Sequence, residues 1–182
     1  MMEDFILPFL SVALAELGDK TQLAIFCMAS ETKEHGKLLF GVMLAFLLST
    51  TLAVVFGNII AASVPLELIH LAAGVLFILL GMLTLLGSKK EECKSMVKDP
   101  LISGFILTFL AELGDKTQIT AALFSTRFNP FLVFAGALVA LFLLSASAIY
   151  VGKKLAVKIN RKLLSYAAGL LFILIGLGFV LL

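Results

Sequence analysis

The chain has 182 residues, 61% of them hydrophobic and 14% charged, with a mean hydropathy of +1.12. A soluble domain is nearer half apolar and a quarter charged, so this balance excludes one and predicts an all-α, polytopic membrane protein. The net charge of +2 is uninformative as a sum, but its distribution along the chain carries the topology.

Apolar runs of about 20 residues, enough to cross a bilayer, fall at 5–29, 38–63, 66–87, 101–125, 131–153 and 163–182. The first begins after an acidic Met-Met-Glu-Asp, where a signal peptide wants basic residues, and it predicts a retained membrane helix. Ser30 to Lys37 is a polar break, and Val64-Pro65 marks a helix start. Asp99-Pro100 and Asn129-Pro130 each offer an N-cap residue followed by proline at N1. The charged stretch 88–99 is the natural midpoint. Residues 1–88 then form one three-helix unit, 89–99 a cytoplasmic linker and 100–182 a second unit. Cys27 reads as a small core residue and Cys93 as a loop thiol, with no evident disulfide framework.

The two units repeat. Ala-Glu-Leu-Gly-Asp-Lys-Thr-Gln occurs at 15–22 and, unchanged, at 111–118. Phe46-Leu-Leu-Ser49 returns as Phe142-Leu-Leu-Ser145, and the run at 72–81 returns at 167–176. Three is an odd number of crossings, so the second unit enters from the opposite side. The expected architecture is six transmembrane helices as two inverted three-helix repeats. Of the Lys and Arg residues in loops, eleven fall on one side, in the segments 30–37, 88–99 and 153–162, and only Arg127 on the other. The positive-inside rule makes the basic side cytoplasmic and places both termini outside.

Each octapeptide sets three charges in an apolar run: Glu16, Asp19 and Lys20, then Glu112, Asp115 and Lys116. Burying six such charges singly would cost on the order of 15–20 kcal/mol on insertion scales, which argues for use. On a continuous helix Glu16, Asp19 and Lys20 share one face, Gln22 lies at its edge and Thr21 points away. An opening at Gly18 or Gly114 would let Thr21 or Thr117 turn inward, and the sequence leaves both geometries standing. The ligand set is all oxygen: Glu16, Asp19, Glu112 and Asp115, with Gln22 and Gln118. Lys20, Lys116, Thr21 and Thr117 are supporting candidates. Such a set suits Ca²⁺, Mn²⁺ or Mg²⁺ rather than Zn²⁺ or Cu⁺. Four carboxylates against two ammoniums leave a formal −2, which one divalent cation or two protons neutralise. The competing structural reading makes Glu16–Lys20 and Glu112–Lys116 intrahelical ion pairs, which are weak stabilisers once buried. Ser49, Thr50, Thr51, Ser145 and Ser147 read first as helix packing, and Gly74, Gly81, Gly169 and Gly176 as small-residue packing faces.

Two copies of Glu-Leu-Gly-Asp-Lys-Thr, at 16–21 and 112–117 on the first and fourth runs, resemble the twin motif of the Ca²⁺/Mn²⁺:H⁺ exchangers. That family includes Golgi and chloroplast members and bacterial manganese exporters, within the lysine-exporter superfamily. The resemblance implies Glu16, Asp19, Glu112 and Asp115 as the metal-binding acids. It also implies a secondary active transporter that exports Mn²⁺ or Ca²⁺ from the cytoplasm in exchange for protons, by alternating access around a midplane site. The rivals are a passive divalent-cation channel and a non-transporting membrane assembly factor. No nucleophile elbow, metalloprotease pair or phosphate loop is present, so an enzyme is not expected. The expected partners are the divalent ion, H⁺ as counter-ion and the lipid bilayer, with no resident cofactor and no nucleic acid. A homo-oligomer is compatible with the sequence, and the plasma membrane of a prokaryote is the expected location.

Overall fold

The computed structural model describes residues 2–17, 19–86, 99–155 and 161–181. Within them the chain forms eight helices: α1 (Met2–Glu16), α2 (Lys20–Glu31), α3 (His35–Ser63), α4 (Leu66–Leu86), α5 (Pro100–Glu112), α6 (Lys116–Ser125), α7 (Pro130–Leu155) and α8 (Arg161–Leu181). The linker 89–99 lies outside the described residues apart from Asp99, and so does Cys93.

Both capped proline starts form as their sequences dictate. The Asp99 carboxylate accepts from the amides of Leu101 (2.9 Å) and Ile102 (3.1 Å), with Pro100 at the first position of α5. The Asn129 side chain accepts from Phe131 (3.0 Å) and Leu132 (3.3 Å) ahead of α7. In each case a side-chain oxygen satisfies two of the amides that a helix N-terminus leaves without partners.

Two of the six expected runs are not continuous helices. The run 5–29 breaks after Glu16 and resumes at Lys20; the run 101–125 breaks after Glu112 and resumes at Lys116. At 1.5 Å per residue, α1 and α5 are about 22 and 20 Å long, short of the roughly 30 Å hydrocarbon core. Among the described residues three helical segments are long and apolar enough to cross alone: His35–Ser63, Glu67–Leu86 and Pro130–Tyr150. Large apolar side chains face outward along them, Phe40, Phe56, Leu83 and Phe131 among them. A shell this apolar has no stable place in water.

Glycine sets the closest helix approaches. α4 and α8 run antiparallel: a Cβ on Gly74 would lie 2.8 Å from the Gly176 carbonyl oxygen, and one on Gly81 2.7 Å from that of Gly169. The glycine stripe thus packs as expected, and the stripe of one half meets that of the other. A Cβ on Gly41 would collide with the Leu101 carbonyl of α5, and one on Gly136 would lie 2.6 Å from the Phe5 carbonyl of α1. Phe5 and Leu101 are equivalent positions of the two halves at the 96-residue spacing of the repeat, and Gly136 lies one residue from the position equivalent to Gly41.

These approaches close two apolar clusters. One joins Val12, Ile25, Met28, Phe46 and Leu141. In the other, the Phe77 ring lies 5.3 Å from Phe124, 6.0 Å from Phe172 and 5.6 Å from Phe179, centroid to centroid. Cys27 is buried, as a core residue should be, but it is disulfide-bonded, which corrects the expectation of an unpaired thiol there.

Candidate ion-binding site

The breaks in α1–α2 and α5–α6 fall inside the octapeptides and share one backbone pattern. The Asp19 amide donates to the Glu16 carbonyl and the Asp115 amide to that of Glu112, both at 3.0 Å. Leu23 and Ile119 then donate to the carbonyls of Asp19 and Asp115, at 3.1 and 3.2 Å, as α2 and α6 begin. Gly114 supplies the positive φ (+76°) that the turn after Glu112 requires, a value that costs a side-chain-bearing residue about 1–2 kcal/mol. The Gln118 side-chain oxygen accepts from the Gly114 amide at 3.0 Å and holds that turn from the next helix.

Asp19 and Asp115 sit at the N-cap positions of α2 and α6, where an aspartate ordinarily accepts from its own helix amides. Neither does so. Their carboxylates turn to the space between the two breaks. There one oxygen each of Glu16, Asp19 and Asp115 lies within 4.8 Å of the others. Two oxygens on opposite sides of a Ca²⁺-sized ion stand about 4.6–5.2 Å apart, so three ligands of one ion already fit this spacing. Oxygen Oε2 of Glu16 and Oδ2 of Asp19 are buried and accept no hydrogen bond among the described residues. The N-termini of α2 and α6 carry the positive ends of their helix dipoles toward these acids, and the C-termini of α1 and α5 bring carbonyl oxygens.

The two copies hold each other. Thr21 donates from Oγ1 to Glu112 Oε1 at 2.8 Å, and Thr117 donates in the same way to Glu16 Oε1. All four side chains are buried, the two glutamates at 0% and 1% exposure. Lys116 pairs with Asp19 of the other copy, Nζ to Oδ1 at 2.8 Å. The intrahelical Glu112–Lys116 pair of the competing structural reading is therefore not formed; Lys116 pairs between copies instead. The Lys20 side chain lies outside what the structure describes. Gln22 is buried, and its Nε2, like that of Gln118, finds no partner among the described residues.

Sequence reasoning placed the acids and glutamines near one another, and the structure gathers Glu16, Asp19 and Asp115 most closely. Glu112 stands beside that trio, with one oxygen on Thr21. The two threonines move from conditional to central because both helices open. Thr51 and Ser147 face outward and bond back to the carbonyls of Leu47 and Leu143, so neither lines an inner surface. Among the described residues, the buried hydroxyls of Ser11, Thr108 and Ser145 find no hydrogen-bond partner. Thr108 escaped the sequence reading although it lies four residues before Glu112, on the same helical face, which is the signal that could have found it.

A model of the divalent cation/proton antiporter family GDT1 matches residues 4–92 and 100–181. The chain belongs to the GDT1 family. It is 29% identical to a Vibrio cholerae protein named "Putative manganese exporter" over 171 residues, covering 92% of this chain and 86% of that one. A GDT1-like protein of Synechocystis is 26% identical over 96% of this chain and 95% of its own length. GDT1-like protein 3 of Arabidopsis thaliana is 29% identical, over 91% of this chain and 66% of its own. No solved structure matches. Membership makes this an integral membrane protein of a cation-transporting family rather than of an enzyme family, in keeping with its apolar helices.

Proposed function

We propose that this GDT1 protein exports a divalent cation, Mn²⁺ or Ca²⁺, from the cytoplasm in exchange for protons. The observation that carries the reading is the clustering of Glu16, Asp19 and Asp115 oxygens within 4.8 Å where two broken helices meet. Helices interrupted at mid-membrane are how inverted-repeat transporters present ion ligands. Glu16, Asp19, Glu112 and Asp115 are the ligands of this reading, with Gln22 and Gln118 beside them and no resident cofactor. With both lysines charged, the site carries a formal −2. One divalent ion or two protons restore neutrality, and a site walled by apolar side chains penalises the empty ionised state. Metal and protons thus compete for the same oxygens, which gives an exchange of one M²⁺ for two H⁺.

The same reading counts α1–α2 and α5–α6 as one interrupted crossing each. With α3, α4, α7 and α8 this makes six crossings, in two inverted units at 1–88 and 100–182. The reciprocal Thr21–Glu112 and Thr117–Glu16 bonds and the paired approaches of Gly41 to Leu101 and Gly136 to Phe5 support it. Alternating access follows as one unit rocking against the other, with both termini outside and the basic loops in the cytoplasm of a prokaryotic cell.

Ion uptake into proteoliposomes under an imposed pH gradient, with Mn²⁺, Ca²⁺ and Mg²⁺ competing, tests this directly. Uphill metal movement driven by the pH gradient, and lost in Glu16→Gln and Glu112→Gln, is the expected result. Full retention in both variants removes the site assignment. A strong dependence on membrane potential removes the one-for-two exchange.

A further inference from the structure

The Lys116–Asp19 pair has a feature that a stabilising ion pair does not need: the ammonium holds one of the three carboxylates that the divalent-ion reading assigns to the cargo. Its Nζ lies 2.8 Å from Asp19 Oδ1, and Asp19 is one of the three carboxylates grouped within 4.8 Å. The two side chains are only 19% and 21% exposed. Lys116 is the first residue of α6, whereas Asp19 belongs to the break between α1 and α2, so the pair joins the two motif copies. The Lys116 backbone is itself fixed: its carbonyl accepts from Thr120 Oγ1 at 2.7 Å.

We infer that Lys116 is a tethered stand-in for the transported ion, occupying the Asp19 end of the acidic site when no metal is bound and displaced when a divalent cation enters. The inference rests on the reading of Glu16, Asp19 and Asp115 as a divalent-cation site. An ammonium and a metal ion cannot share one carboxylate without strong repulsion across a few ångströms of low-dielectric protein. Entry of the metal therefore breaks the tie between α6 and the first motif copy, and departure of the metal restores it.

Two consequences follow. The tethered ammonium competes with every incoming cation at the high effective concentration of an intramolecular group. A monovalent ion brings no more charge than the lysine already supplies, so it does not displace it; a divalent ion does. Lys116 thus sets selectivity for divalent over monovalent cations. It also weakens metal binding, and so speeds release on the far side. This makes it a specificity-determining residue rather than a ligand.

The test is Mn²⁺ binding, and Ca²⁺ binding in parallel, by the purified full chain in nanodiscs, measured calorimetrically with and without excess Na⁺, for wild type, Lys116→Met and Lys116→Arg. Lys116→Met should lower the Mn²⁺ Kd at least tenfold and make it sensitive to Na⁺, while slowing turnover in proteoliposomes. Lys116→Arg, which keeps the charge, should stay within threefold of wild type and insensitive to Na⁺. Lys116→Gln serves in place of methionine if the latter does not purify as a monodisperse species, with the same result expected. Wild-type binding accompanied by an unchanged or weaker Kd in the neutral variant overturns the inference alone. Absence of Mn²⁺ and Ca²⁺ binding in wild type and every variant overturns the divalent site, and the inference with it.

Discussion

The reciprocal threonine–glutamate bonds offer the sharpest perturbation of the site. Thr21→Val keeps the branched shape and removes the hydroxyl that donates to Glu112 Oε1 at 2.8 Å. Interhelical hydrogen bonds in membrane proteins are worth about 0.6 kcal/mol on average and reach about 1.7. A carboxylate acceptor roughly doubles a neutral bond, and Thr21 and Glu112 are 0% and 1% exposed, so no water replaces the lost donor. The expected loss is therefore about 1–3 kcal/mol, or roughly 5- to 150-fold. It should appear as a lower kcat/KM for Mn²⁺ uptake per correctly folded molecule, because the bond aims Glu112. Thr21→Ser should recover most of the loss. In a Glu112→Gln background, where uptake is already lost, the same substitution should leave Mn²⁺ binding within threefold, since the group it orients is already altered. Wild-type uptake in Thr21→Val, or a loss confined to thermal stability with uptake per folded molecule intact, would refute a role in ordering the site.

Other changes probe the breaks, the packing and the acids. Gly114→Ala forces a side chain into φ +76° while its Cβ meets nothing within 4 Å. The cost is thus purely conformational, about 1–2 kcal/mol, and should show as a lowered melting temperature and reduced uptake, with Gly114→Asn affected less. Gly41→Ala drives a methyl into the Leu101 carbonyl, whereas Gly36→Ala meets open space. The first should destabilise by about 1–3 kcal/mol and the second should not, as read by thermal unfolding in detergent. Asp19→Asn and Asp115→Asn should each abolish metal tolerance in cells expressing the protein as their exporter. Unchanged tolerance in both would favour a non-transporting role.

How far the sequence carried this reading differs from element to element. The helix starts at Asp99-Pro100 and Asn129-Pro130 were legible because a cap is a local interaction, decided by two or three neighbouring residues. The glycine faces at 74, 81, 169 and 176 were legible because their spacing is a property of one helix. Their pairing with each other was not, since it depends on how two helices dock. The breaks were undecided for a related reason. Glycine lowers helix stability by only about 1 kcal/mol, so Gly114 permits an opening without forcing one, and the turn is fixed by contacts such as the Gln118 side chain on the Gly114 amide. A continuous helix turns Thr21 about 140° from Glu16 at 100° per residue, away from its own copy's acids. Once the helix is cut, that calculation no longer applies, and Thr21 finds the glutamate of the other copy.

That crossed arrangement bears on the direction of transport. The octapeptides are identical, so neither copy holds stronger ligands than the other by composition. Each supplies a threonine to its counterpart's glutamate, and these bonds tie the copies together symmetrically. What differs lies beside the motifs. Four residues before the glutamate, Val12 of one half corresponds to Thr108 of the other in the repeat alignment, and the buried Thr108 hydroxyl has no partner among the described residues. On the exchange reading the ligands make the site reversible, and the proton gradient sets net direction.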